Sequence, residues 1–184
     1  MSSKEKYIHS IRTARTYQVK WANQIKLMVS GVTVEKDTIP IDQTDSEFSK
    51  WLYDEAMIFS TSNAKNVIDE MIDLHGRCYD IYLKIYGTLF SGQKNGIMAM
   101  FGSKKASPND LKLAQNYYED LMKTSDQLLG RLRSFESIML SLPETKFDEM
   151  IMTPSADEPA ELSAASGEAK PKQKIYFRGR VIEE

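Results

Sequence analysis

Ile11, Ala14, Gln18, Trp21, Ile25, Met28 and Val32 recur at alternating steps of three and four. That spacing places them on one face of a helix, and one apolar face must be buried against another element. The pattern returns twice at similar length. One stripe is Val67, Met71, His75, Cys78, Tyr82, Ile85 and Leu89; the other is Leu111, Ala114, Tyr118, Leu121, Ser125, Leu128, Leu132, Phe135 and Met139. A shorter segment through Phe48, Trp51, Leu52 and Glu55 makes a fourth. Three long amphipathic helices and one short one cover their stripes most economically as an all-α, antiparallel four-helix bundle.

Punctuation sets the expected limits. Ser2 and Glu5 have capping-box spacing and Gly31 suits a helix end, so the first helix is expected over about residues 3–30. Thr44 and Glu47 have the same spacing and are expected to open the short helix, after a loop over 31–43 with a short extended piece. Ser60, Thr61, Ser62 and Asn63 offer caps for the third helix. Ser107, Pro108 and Asp110 mark the start of the fourth, and Pro143 is expected to stop it. Between them, Ile97, Met98, Met100 and Phe101 lie among Gly92, Gly96 and Gly102, a composition compatible with a helical turn over the bundle end. The bundle is expected over residues 1–152. Residues 153–184 form the tail, a Pro/Ser/Ala/Glu/Gly-rich flexible linker ending in a basic, β-prone segment. Deleting that tail is expected to leave helicity and thermal stability nearly intact.

The 184 residues suit one domain, and 24 basic against 26 acidic side chains leave a net charge of −2. Such a balance gives no chain-wide attraction to nucleic acid or to an anionic membrane. The single cysteine, Cys78, cannot pair within the chain. No apolar run reaches the roughly 20 residues needed to cross a bilayer. With no signal-peptide pattern at the start, the expected location is cytoplasmic.

Catalytic residues are scarce. The only histidines are His9, off the first stripe and expected in solvent, and His75. Gly102-Ser-Lys-Lys lacks the spacing of a phosphate-binding loop. Asp69, Asp73 and Asp80 read as a solvated helix surface, and neither histidine follows a glutamate by three residues, as a di-iron bundle requires. The expectation is therefore a protein that is not an enzyme and has no catalytic residues. Gln18, Ser46, His75 and Cys78 are unusual at positions facing or edging a core, and antiparallel packing would bring them into one layer. His75 and Cys78, three apart, suit two ligands of a tetrahedral zinc site. A buried histidine hydrogen-bonded to Gln or Tyr, beside a buried thiol acting as a small hydrophobe, accounts for the same residues.

These residues resemble the chemoreceptor zinc-binding domain family of bacterial chemoreceptors and diguanylate cyclases, over roughly residues 10–142. That family carries a His three residues before a Trp, then Cys-x-x-Gly-x-Trp, then two His four apart. Gln18-Val-Lys-Trp21 matches the first motif with Gln in place of His. Ser46-Glu-Phe-Ser-Lys-Trp51 matches the second, with Ser46 and Ser49 in place of Cys and Gly. His75 keeps one of the paired histidines, and Tyr79, or Met71 in the other register, takes the second place.

The resemblance implies a bacterial signal-transduction bundle, linked in the family to chemotaxis, whose members hold zinc with three His and one Cys and pair as dimers. Here Gln18 and Ser46 lack the imidazole and thiolate of a tight zinc site. The expectation is thus no cofactor, with zinc at His75 and Cys78 as the one candidate. Gln18, Ser46 and Tyr79 are expected to satisfy His75 in a neutral polar layer with Cys78. With no output domain in the sequence, function would pass through a protein partner. The tail residues Ile175, Tyr176, Phe177, Arg178 and Arg180 are candidates to dock on it as a strand or as aromatic anchors; a frayed C-terminus or a strand folding back on its own domain accounts for the same residues. Two other readings remain: a metal-free structural adaptor or oligomerisation module, and a redox or soft-metal sensor built on Cys78, His75 and Met71.

Overall fold

The computed structural model describes residues 2–32, 39–90, 106–152, 176–177 and 180–181. The chain divides into two compact units, Met1–Pro154 and Ser155–Glu184. In the first unit every described element is helical: α1 (Ser3–Val29), α2 (Glu47–Asp54), α3 (Lys65–Phe90), α4 (Pro108–Ser141) and α5 (Glu144–Met152). Single 3-10 turns at Gln43–Asp45 and Ala56–Phe59 flank α2. Among the described residues no helix is long and apolar enough to cross a membrane.

Local chemistry explains the limits. The Ser2 hydroxyl accepts from Glu5 N at 3.3 Å while the Glu5 carboxylate accepts from Ser2 N at 2.8 Å, a closed capping box. Gly31 adopts φ +75°, the left-handed conformation that ends α1 at Val29 and leaves Val32 exposed, off the expected stripe. Ser107 and Asp110 close a second box at the start of α4. The expected Thr44–Glu47 box does not form. Asp42 instead accepts from Thr44 N, and Ser46 caps α2 by accepting from Ser49 N at 3.0 Å. Several cap-competent residues stand in a row there, and the start of the apolar run at Phe48 selects the one nearest to it.

Helix directions follow from the contacts. Lys4 on α1 donates to the carbonyls of Leu140 and Leu142 at the C-terminus of α4, and Gln115 near the α4 start donates to Val29 O at the end of α1. These two helices are therefore antiparallel, and each supplies donors or acceptors that the other's end lacks. Glu70 of α3 meets Arg131 of α4 at 2.5 Å, while Cys78 and Ser125 further along share a partner, so α3 is antiparallel to α4 as well. It follows that α1 and α3 run parallel, with Trp21 stacked on Tyr79 at 5.2 Å.

The segment between them runs back down. Ile39 O accepts from the Tyr82 hydroxyl at one end, and Glu55 O accepts from the Tyr7 hydroxyl at the other. The all-helical class is met in the first unit, and α2 is short as expected, flanked by 3-10 turns; α5 makes five α-helices rather than four among the described residues. The α2 segment's aromatic and aliphatic side chains Phe48, Trp51, Leu52 and Phe59 are all buried.

Pro143 stops α4 as expected, and beyond it the chain forms a further helix, α5, that is not among the expected elements. The proline carbonyl accepts from Phe147 N at 3.0 Å as the chain re-enters a helix. Phe147 is fully buried, its ring 5.4 Å from Phe59 and 5.5 Å from Tyr7.

In the second unit, β1 (Tyr176–Phe177) and β2 (Arg180–Val181) pair antiparallel, Tyr176 opposite Val181 and Phe177 opposite Arg180. Residues 33–38 of the expected 31–43 loop, the expected turn around Ile97–Phe101, the linker from 153, and Ile175 and Arg178 lie outside the described residues.

Candidate functional site

Gln18 sits halfway along α1 on the apolar stripe, 1% exposed. A buried amide without partners costs several kcal/mol, and this one donates through Nε2 to Ser125 Oγ on α4 at 3.2 Å. Cys78 Sγ on α3 is 3.9 Å from the same nitrogen, a weak sulfur acceptor. One side chain thus ties the three long helices together.

A second network starts at the N-terminus of α2. Ser46 Oγ, the helix cap, donates to Ser49 Oγ at 2.9 Å. Ser49 Oγ in turn reaches Gln43 O at 2.5 Å and His75 Nε2 at 2.7 Å. Proton counting assigns the histidine tautomer. Ser49 has one hydroxyl proton and gives it to the Gln43 carbonyl, which can only accept. His75 then donates from Nε2, and its Nδ1 is a bare acceptor. Among the described residues no group bonds that Nδ1, although His75 is 1% exposed.

Burial governs the electrostatics. Desolvation pushes the His75 pKa down to about 4, so the ring is neutral at pH 7. Desolvation also pushes the Cys78 thiol up to about 12, leaving it protonated. Tyr79 is raised above the usual phenol range, chiefly by burial; nearby Ser46 and Trp21 oppose that shift without closing a hydrogen bond of good geometry to its hydroxyl.

Between α1, the start of α2 and α3 lies a cleft of about 230 Å³. Gln18, Trp21, Ser46, Phe48, His75 and Tyr79 form its walls, and Lys20, Asp45 and Glu47 stand exposed around it. Among the described residues three buried polar atoms of these wall residues make no hydrogen bond of good geometry: His75 Nδ1, and the Tyr79 hydroxyl and Trp21 Nε1, which lie near each other.

Of the five residues assigned to a polar layer, four line this cleft. Cys78 does not; it turns to Gln18 and the α4 side. The hydrogen bond to His75 comes from Ser49, not from Gln18, Ser46 or Tyr79 as expected, because Ser49 is one helical turn into α2 and faces α3. Ser49 and Ser125 are the two functional side chains missed in the sequence. The available signal was a small polar residue on an otherwise apolar face, which Ser125 carries on the α4 stripe.

The zinc expectation meets an unsuitable donor set. Cys78 turns to Gln18 and away from the cleft that His75 lines, and Gln18 and the serines supply neither imidazole nor thiolate. Among the described residues no group of three or more His, Cys, Asp or Glu side chains is placed to hold a metal ion. His9 is exposed, and two of the acidic residues of α3 form surface ion pairs, Asp69 with Lys65 at 2.6 Å and Asp73 with Arg77 at 2.8 Å. The described tail residues Tyr176, Phe177 and Arg180 belong to the β1–β2 pair. Comparison with protein-family models, with curated proteins and with solved structures finds no match to this chain.

Proposed function

We propose that this chain is a non-enzymatic signal-transduction protein, a sensory or regulatory bundle that passes its state to a protein partner. On this reading it is a departed relative of the chemoreceptor zinc-binding domains, in which neutral hydrogen bonds stand where the family places metal ligands. The observation that carries the reading is the Ser46–Ser49–His75 chain, which joins α2 to α3 beside an open cleft. A change at the cleft would alter how the α2 segment sits on the long helices, and that segment has an exposed outer face for a partner to read. Near neutral pH, His75 is a poor general base and Cys78 a poor nucleophile. Both favour a binding role over catalysis.

The test is crosslinking in the native cell with the full chain and with Ser49→Ala, checked for equal folding. The expected result is a defined partner whose recovery changes at least severalfold in the variant. An identical set of crosslinks from both chains contradicts the reading.

A further inference from the structure

The end of the α2 segment, from Glu55 to Phe59, is held to α1 by Tyr7 and Ser10. The Tyr7 hydroxyl donates to Glu55 O at 3.1 Å and the Ser10 hydroxyl to the Glu55 carboxylate, while the Phe59 ring packs 5.0 Å from that of Tyr7. Phe147 of α5 meets both rings, 5.5 Å from Tyr7 and 5.4 Å from Phe59. One side chain beyond Pro143 therefore packs on the two rings that fix this end.

Neither short helix in this arrangement is stable by itself. α5 has nine residues and α2 has eight, both below the length at which a helix stands alone in water. Phe147 is the one fully buried side chain of α5, and Ile151 and Met152 are exposed. Without Phe147, the Phe59 ring loses its stacked neighbour and keeps its tilted contact with Tyr7 and its edge contact with Phe135, 6.3 Å away. The bonds that join the long helices to one another, Arg12 to Glu136, Gln18 to Ser125 and Glu70 to Arg131, do not involve α5.

We propose that α5 is a latch on the α2 segment. While Phe147 is seated, α2 and the Ala56–Phe59 turn stay on the core; when α5 undocks, they open together and α1, α3 and α4 remain folded. The chain runs from Met152 directly into the tail, so a partner that engages the tail reaches the segment through α5. That consequence deepens the signalling reading above and rests on it, while the latch stands on the ring contacts.

Native-state hydrogen exchange of the full chain tests the latch, with two variants that each remove a buried side chain. Phe147→Ala empties the latch. Met28→Ala does the same to the core about 30 Å further along α1, away from the segment's end. In Phe147→Ala the amides of α2 and of Ala56–Phe59 are expected to exchange about a hundredfold faster or more. In Met28→Ala they are expected to change by less than about twofold, although the slowest amides of α3 and α4 speed up in both. Phe147→Leu and Met28→Leu give the same comparison if either alanine variant does not fold.

Two results overturn the proposal. One is segment amides unchanged in the Phe147 variants; the other is equal acceleration in both positions' variants, which means that the segment opens only with the whole fold. The expected exchange pattern with partner crosslinks that do not depend on Ser49 would support the latch and contradict the sensory reading alone. Ser49-dependent crosslinks with equal acceleration would contradict the latch alone.

Discussion

Ser49 Oγ on α2 and His75 Nε2 on α3 meet at 2.7 Å, a hydrogen bond that anchors the buried imidazole. Through it the cap of a short helix and the middle of a long one share a single polar network. Ser49→Ala removes the acceptor for both Ser46 Oγ and His75 Nε2. The expected cost is about 1–3 kcal/mol in denaturant unfolding, more than the roughly 1 kcal/mol expected for a cap loss alone in Ser46→Ala. A Ser49→Ala chain as stable as the parent would remove the network from the account.

The His75 pKa lies near 4 in the fold, against about 6.5 in an unfolded chain. Between those values the unfolded state binds a proton that the folded state refuses, so stability falls as pH drops from about 6.5 towards 4. The loss attributable to His75 is about 3 kcal/mol in total and levels off below pH 4. Unfolding free energies measured across that range should therefore diverge between the parent and His75→Phe, whose curve lacks this component. Parallel curves would show that the imidazole is not buried in its neutral form.

Much of this layer is legible in the sequence. Gln18, His75 and Cys78 interrupt apolar stripes of helical period, and all three are buried. The caps at Ser2 and Ser107 are legible for the same reason, since each stands three residues before an acid and ahead of a periodic run. The parallel course of α1 and α3 is implied by an antiparallel bundle in which the short helix returns, but the broken form of that return, α2 between two 3-10 turns, is not legible. Nor is α5. Pro143 is a correct stop signal for α4, but a proline also suits the start of a new helix, and Phe147, the one fully buried side chain of α5, has no long stripe around it.

Phe147 carries that short helix. Its ring fills space against Tyr7 and Phe59 and is fully buried. Phe147→Ala is expected to lower stability by about 3–5 kcal/mol, the usual range for an aromatic ring removed from a core. Thermal or denaturant unfolding reads this directly, and a loss under 1 kcal/mol would place α5 outside the cooperative unit.

Gln18 and Ser125 are expected to be coupled. Gln18→Met leaves the Ser125 hydroxyl short of its partner, and Ser125→Ala leaves the amide donor short of its own. The double variant should be more stable than the sum of the two losses by about 0.5–1.5 kcal/mol. Simple additivity in the double-mutant cycle would mean that the two side chains do not interact.

Cys78 is fully buried and its thiol is held protonated. Alkylation by iodoacetamide at pH 8 is expected to proceed only as fast as the chain opens, rising steeply in denaturant. Rapid modification of the folded chain would favour the redox-sensor reading instead.

The central claim is that a hydrogen-bonded layer of Gln18, Ser46, Ser49 and His75 holds this fold together without a metal ion. The most direct measurement is the native mass and elemental content of the purified chain, with its melting temperature before and after strong chelation. The account expects a metal-free mass and an unchanged melting temperature. One zinc per chain, lost together with stability on chelation or in His75→Ala, would contradict it.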